Sequence, residues 1–259
     1  DILIGAEQVD RTTDPANPRP TGSGKAYLIF FDPNDTVHYP NIGDPAVPDT
    51  VSLSLVGQPG GIPGVVFEGA ALGDQAGFAV AGGGTATPSA ATDIIIGAPG
   101  ADPDGRIDAG AVYVVFDSPS LSGNVSLTRI SSGLQDQVPG KAYYGAAAGD
   151  NLGFSVDFGG TVVQGQTTTG SVLMGAPGAN VRSGRIVAPP SDPDTTPIIV
   201  DAIGTTQSGF QISGTQPGEQ LGYAVADGGD ALADGVSDVL VGAPTSDVGG
   251  LTDAGRVLE

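Results

Sequence analysis

The chain has 259 residues with 29 acidic against 9 basic side chains, a formal net charge of −20, 39% apolar residues and no cysteine. Such a balance repels nucleic acid and anionic membrane surfaces, which are recognised by Lys and Arg set against phosphate. Without cysteine there is no disulfide framework, thiolate nucleophile or thiolate metal site.

The apolar fraction is that of a folded domain, and the length suffices to bury a core. The 43 glycines and 21 prolines break helices and punctuate turns. No stretch carries a sustained 3.6-residue apolar period, and no apolar run approaches the roughly 18 residues of a membrane span. Short runs of Val, Ile, Phe and Tyr recur between turn signals, so the class is all-β.

The first run, "DILIGAE" (1–7), reads as a strand ending at Gly5-Ala6, and "GKAYLIFF" (24–31) as its partner. "FDPNDTVHYPNIGDP" (31–45) is a proline-rich loop holding the only histidine, His38, and "VSLSLV" (51–56) is a weaker strand. The next unit opens with "GDQAGFAVA" (73–81), followed by "DIIIGAP" (93–99), "GAVYVVF" (110–116) and "VSLTRI" (125–130). The same order returns as "GDNLGFSVD" (149–157), "SVLMGAP" (171–177), "GRIVAPP" (184–190) and "TPIIVDAI" (196–203). It begins again with "GEQLGYAVA" (218–226), "DVLVGAP" (238–244) and "GRVLE" (255–259).

Four short strands per unit is the arrangement of a propeller blade. "AVYVVF" is apolar at nearly every position, as a strand covered on both faces would be. The first strand of a unit carries small residues (Gly77, Ala79, Ala81; Gly222, Ala224, Ala226), suited to crowding near a central axis. The units fall at 1–66 (strands two to four with the proline-rich insertion), 67–140, 141–212 and 213–259 (strands one to three), within one β-propeller domain. A β-sandwich of similar hairpins is the competing architecture. Both terminal units are incomplete, so a partial propeller whose chain continues at both ends is expected, with exposed strand edges inviting association.

The order Gly-Asp-x-x-Gly-Phe-Ser-Val, acidic loop, Asp-apolar-Gly-Ala-Pro, then Gly-Ala-Val-Tyr-Val-Val-Phe resembles the FG-GAP repeat. That repeat builds the β-propeller head of integrin α-subunits and many bacterial extracellular proteins. The resemblance runs along essentially the whole chain and weakens in the first unit, where the proline of "GAP" is Glu7. Pro99, Pro177 and Pro244 follow a strand directly, where a missing N–H costs nothing. By the resemblance, Gly97, Gly175 and Gly242 leave room for the aromatic at 78, 154 or 223, and Phe78, Phe154 and Tyr223 are buried near these turns.

The family's loop before the "GAP" strand reads Asp-x-Asp/Asn-x-Asp-Gly-x-x-Asp and is similar to a calcium loop. Calcium takes about six to eight oxygens from carboxylates, carbonyls and water. Asp230, Asp234, Gly235 and Asp238 fill positions one, five, six and nine, and Val236 would offer its carbonyl at position seven. Leu232 stands at position three, where the family has an oxygen. The resemblance implies a weak calcium site here; an acidic turn with Gly235 at positive φ is the plainer reading. A second cluster, Asp102, Asp104 and Asp108 in "ADPDGRID" (101–108), is a lesser metal candidate within ordinary turn chemistry. The loop at 82–93 keeps only Asp93, and that at 159–171 has no carboxylate.

Catalytic constellations are poor. His38 has no second histidine or cysteine to complete a nucleophile–base pair, and no phosphate loop or dinucleotide fingerprint is present. Asn34-Asp35-Thr36 and Asn124-Val125-Ser126 fit the glycosylation pattern. The expected function is a non-catalytic, extracellular or cell-surface adhesion or scaffold module. Its partners would be protein or glycan ligands or copies of itself, without nucleic acid and without membrane insertion. The alternative is the accessory propeller of a secreted, phospholipase-like hydrolase.

Overall fold

The computed structural model describes residues 1–7, 22–32, 52–84, 92–118, 121–164, 167–182, 184–188, 196–234 and 237–259. His38, the Asn34 triplet, Gly235 and Val236 lie outside these residues.

The fold is all-β and built from sheets that follow one another in chain order. Sheet one pairs β1 (Ile2–Ala6), β2 (Lys25–Ile29) and β3 (Gly64–Glu68) antiparallel in sequence. Sheet two continues with β4 (Ala79–Gly84), β5 (Asp93–Ala98) and β6 (Ala111–Val115). The chain then reaches back, and β7 (Gly123–Ser126) joins the edge of sheet one, parallel to β3. It returns as β8 (Gly140–Tyr144) beside β6. Sheet three repeats the course with β9 (Ser155–Gln164), β10 (Thr167–Ala176) and β11 (Arg185–Ala188). β12 (Ile198–Ile199) reaches back to pair parallel with β8, and β13 (Phe210–Ser213) closes sheet three beside β11. Sheet four consists of β14 (Ala224–Gly229), β15 (Asp238–Ala243) and β16 (Arg256–Leu258).

The fourth strand of each unit lies later than the sequence suggests. "VSLSLV", "VSLTRI" and "TPIIVDAI" do not complete their own sheets. They turn into single 3₁₀ turns at Leu53–Leu55, Leu127–Arg129 and Val200–Ala202. The last two follow directly on β7 and β12, which pair with the sheet before. The Ser126 hydroxyl accepts the Thr128 N–H, a local alternative to a strand ladder. Leu127 and Ile130, and likewise Val200 and Ile203, are buried between sheets. Alternating Val, Ser and Leu served as a plug, not as a ladder. The strands that do complete the sheets, β3, β8 and β13, are the ones the turn signals hid.

The core lies between sheets. Along β5, Ile94 and Ile96 belong with Val65 and Phe67 of sheet one, while Ile95 belongs with Val172 and Met174 of sheet three. Along β6, Tyr113 and Val115 face the first group and Val112 and Val114 the second. Both faces of sheet two are therefore covered, which is why "AVYVVF" does not alternate. Each such fully buried side chain contributes roughly 1.5–3 kcal/mol by transfer from water. The other face of sheet one (Tyr27, Ile29, Val66) is covered by Val56 and Ile62 of its own 3₁₀ connection. Sheet four packs Val241 and Ala243 with Ile186 of sheet three and Leu221 of the turn that leads into β14.

Glycines fix the seams. A β-carbon on Gly5, Gly97 or Gly175 would stand 2.1 Å from the carbonyl oxygen of Gly77, Gly153 or Gly222, the turn glycine of the next unit. The "GAP" glycine thus makes room for backbone, not for the aromatic ring that the resemblance implied. The rings form a tilted row instead: Phe78 to Phe154 and Phe154 to Tyr223 are each 4.7 Å between centroids, with planes 43° and 50° apart. They are not fully buried, and Tyr223 at the end of the row is 45% exposed.

Candidate functional site

The acidic loop before β15 closes on its own backbone. Asp238 Oδ2 accepts the N–H groups of Ala231 and Leu232 at 2.8 and 3.2 Å, and Asp230 Oδ1 accepts the Asp234 N–H at 2.9 Å. Ala233 takes a positive φ of 55° to make the turn, and Leu232 points outward, 72% exposed. Two of the three aspartates are thus tied to one turn, and the donor set suits calcium in kind. It is not gathered in place: among the described residues no three acidic or histidine side chains come together as metal ligands. Val236, the expected carbonyl donor, is outside the described residues.

The second cluster does not converge either. Asp102 Oδ1 accepts the Asp108 N–H at 2.7 Å, Asp104 pairs with Arg106 at 3.2 Å, and the Asp108 carbonyl receives the Asn151 N–H of the next unit. The same turn recurs in sheet four, where Asp247 Oδ1 accepts the Asp253 N–H at 2.9 Å. The cluster is a repeated turn device that Asp and Gly at positive φ make possible. Asp93, left over in its loop, is buried and accepts the Asp117 N–H, tying the end of β6 to the start of β5. Asn124 lies exposed on β7.

What the sequence reading passed over is the acid of the Gly-acid-x-x-Gly turn. Asp74, Asp150 and Glu219 are 3%, 4% and 0% exposed. Each accepts N–H groups three or four residues back: Ala71 for Asp74; Ala146 and Ala147 for Asp150; Thr215 and Gln216 for Glu219. In sheets three and four the remaining charge meets an arginine. Arg185 Nη2 lies 3.0 Å from Asp150 Oδ2, and Arg256 Nη2 lies 2.7 Å from Glu219 Oε2. Arg185 is further held by Asp201 and Gln211. The Ser246 hydroxyl donates to Glu219 at 2.8 Å.

Strand register shows that Arg185 and Arg256 are equivalent, since they pair with Ala176 and Ala243 of their "GAP" strands. The residue at that position in sheet two is Ala111, opposite Ala98. Beside it lies an open-mouthed cavity of about 190 Å³ lined by Asp74, Asp102, Asp104, Ala111, Tyr113 and Tyr144, among others. Burial, above all, pushes the Asp74 carboxyl up from its ordinary range and outweighs the N–H groups of Ala71 and Ala70. Burial likewise raises the Tyr113 and Tyr144 hydroxyls. At Glu219 burial again pushes upward most strongly, but Gln216, Ser246, Thr215 and Arg256 together hold the carboxyl below its usual range. The signal for all this was present in "GDQAG", "GDNLG" and "GEQLG", whose second residue is acidic each time. Its reading required the register that sets the arginines opposite.

The far face of sheet four is open. Tyr223, Leu240 and Val257 are 45%, 37% and 72% exposed. Tyr223 and Val257, with Ala224, Gly242 and Gly255, border a shallow apolar groove. A β-carbon on Gly242 would meet nothing closer than the Ala224 β-carbon at 3.4 Å. Unlike Gly5, Gly97 and Gly175, Gly242 has no turn carbonyl from the described residues against it. No helix among the described residues is long and apolar enough to cross a membrane.

Compared with known proteins, the chain matches no family model and no curated protein.

Proposed function

We propose that the chain is a non-catalytic, extracellular adhesion or scaffold module of the FG-GAP β-propeller kind, with its sheets as blades and a protein-binding face on sheet four. The observation that carries this reading is the open face around Gly242. The strands at Gly5, Gly97 and Gly175 each receive the glycine turn of a following unit, and the strand at Gly242 offers the same receiving surface to a partner. Apolar and glycine-floored, it suits protein better than glycan. Copies of the chain are the partner that a test reads most directly. Sedimentation velocity across a concentration series should show self-association in the wild type and a monomer for Val257→Lys, whose side chain puts a charge on the groove. Identical sedimentation of the two proteins, at every concentration, overturns the reading.

Calcium is the ion that the loop of Asp230, Asp234 and Asp238 would take, with the Val236 carbonyl as a further oxygen. Support comes from the residue types and from the turn whose N–H groups engage both Asp230 and Asp238. Binding would have to draw Asp234 into the set.

A further inference from the structure

We propose that the cavity beside Asp74 is a binding site for a guanidinium group, carried by a free small molecule or by an arginine side chain of a partner. The fold itself supplies the template. At the equivalent position, sheet three places Arg185 against Asp150 and sheet four places Arg256 against Glu219. Sheet two places Ala111 there, at the same register, and keeps the acid. Asp74 therefore sits 97% buried without a cation among the described residues, its carboxylate accepting from backbone N–H groups. A buried carboxylate without a counter-charge is costly, and the empty volume left by the short Ala111 side chain opens to solvent.

A second observation points to a ligand independently. Tyr113, which lines the same cavity, is 4% exposed, yet its hydroxyl makes no hydrogen bond to any described residue. Among the described residues the buried polar atoms without a partner are Arg185 Nε and Arg256 Nε, so the Tyr113 hydroxyl is not sealed off, and a donor entering the cavity that Tyr113 lines can reach it. A guanidinium has five N–H donors in a flat fork and can serve a carboxylate and a hydroxyl together. A compact metal ion would have to gather Asp102 and Asp104, of which Asp102 already takes the Asp108 N–H and Asp104 faces Arg106 at the rim. The cavity of about 190 Å³ exceeds the roughly 15 Å³ that one water needs. Ala70, Ala71 and Ala101 in its lining suit the methylene stem of such a ligand.

The test is calorimetric titration with agmatine and, separately, with a blocked Gly-Arg-Gly tripeptide, with putrescine and calcium chloride as controls. Saturable binding to the wild type is expected, at least tenfold tighter than putrescine and not displaced by calcium. Ala111→Arg should fill the site from within, abolishing binding and raising Tm. Asp74→Asn should weaken binding at least tenfold. Tyr113→Phe, which keeps the ring and the fold, should weaken it several-fold and reduce the change in tyrosine fluorescence on binding. Tighter binding of the tripeptide identifies a partner's arginine as the source; tighter binding of agmatine identifies a free ligand. Absence of saturable binding to both probes overturns the proposal, and so does undiminished binding to Ala111→Arg.

Discussion

The carbonyl oxygen of Gly153 rests against the α-carbon of Gly97, so close that a β-carbon there would stand 2.1 Å away. Sheets two and three meet through this contact, and Gly5 with Gly77 and Gly175 with Gly222 repeat it. The obstacle is backbone, which cannot rotate aside as a side chain would. Gly97→Ala and Gly175→Ala should each cost about 1–3 kcal/mol or more, the range of overpacking in a close-fitted core. Gly242→Ala, with only a methyl at 3.4 Å, should stay within about 0.5 kcal/mol of the wild type. Urea unfolding of the three variants measures the contrast, and equal costs would contradict it.

Arg185 and Asp150 form an ion pair whose side chains are 7% and 5% exposed. Attraction between such groups only about offsets their desolvation, whereas removing one leaves the other stranded. Asp150→Ala or Arg185→Met alone should cost about 3–5 kcal/mol. The double variant should cost clearly less than the sum, because neither charge remains. Additive losses in a double-mutant cycle would show that the pair acts only through separate packing.

Glu219 and Asp74 occupy the same turn position but should respond to pH in opposite senses. The Glu219 carboxyl is lowered from 4.5, so its contribution is present above 4.5 and lost as pH falls through its folded value. The Asp74 carboxyl is raised from 3.8, so its contribution is present below 3.8 and lost as pH rises through its folded value. Glu219→Gln should therefore cost most near neutral pH and progressively less in acid. Asp74→Asn should cost least near neutral pH. Denaturation of both variants between pH 3 and 7 reads the two slopes, and slopes of the same sign refute the reading that Gln216, Ser246, Thr215 and Arg256 together hold the Glu219 carboxyl down.

Much of this was legible in the sequence because strands covered on both faces leave an unbroken apolar run, as in "AVYVVF", and Gly-Ala-Pro marks where such a run must stop. The connections were not legible. "VSLTRI" and "TPIIVDAI" have strand composition, and only the third dimension shows Leu127 and Val200 dropping between sheets instead of continuing a ladder. Nor could spacing along the chain show that Ala111 occupies the place of Arg185 and Arg256. That equivalence is a matter of register across strands, and it turns a missing side chain into a cavity beside Asp74. Aspartates in turns were visible at once, but their oxygens are engaged largely by N–H groups of the turns themselves, which residue types alone do not reveal.

Leu232 decides the calcium question. It stands 72% exposed on the turn whose other members are Asp230 and Asp234, and it offers no side-chain oxygen. Three carboxylates within nine residues repel one another, and a divalent ion would relieve that repulsion while fixing the entry to β15. With a ligand short, the wild type should bind calcium only in the roughly 10⁻⁴–10⁻³ M range of extracellular modules. Even at a hundredfold excess over Kd, occupancy would then stabilise the fold by about 2.7 kcal/mol. Leu232→Asp restores the missing oxygen and should tighten binding at least tenfold, whereas Asp234→Ala should remove it. Titration calorimetry and thermal melts at millimolar calcium separate the cases. If neither the wild type nor Leu232→Asp shows heat or a shift in Tm, the loop is a backbone-capped turn and holds no ion.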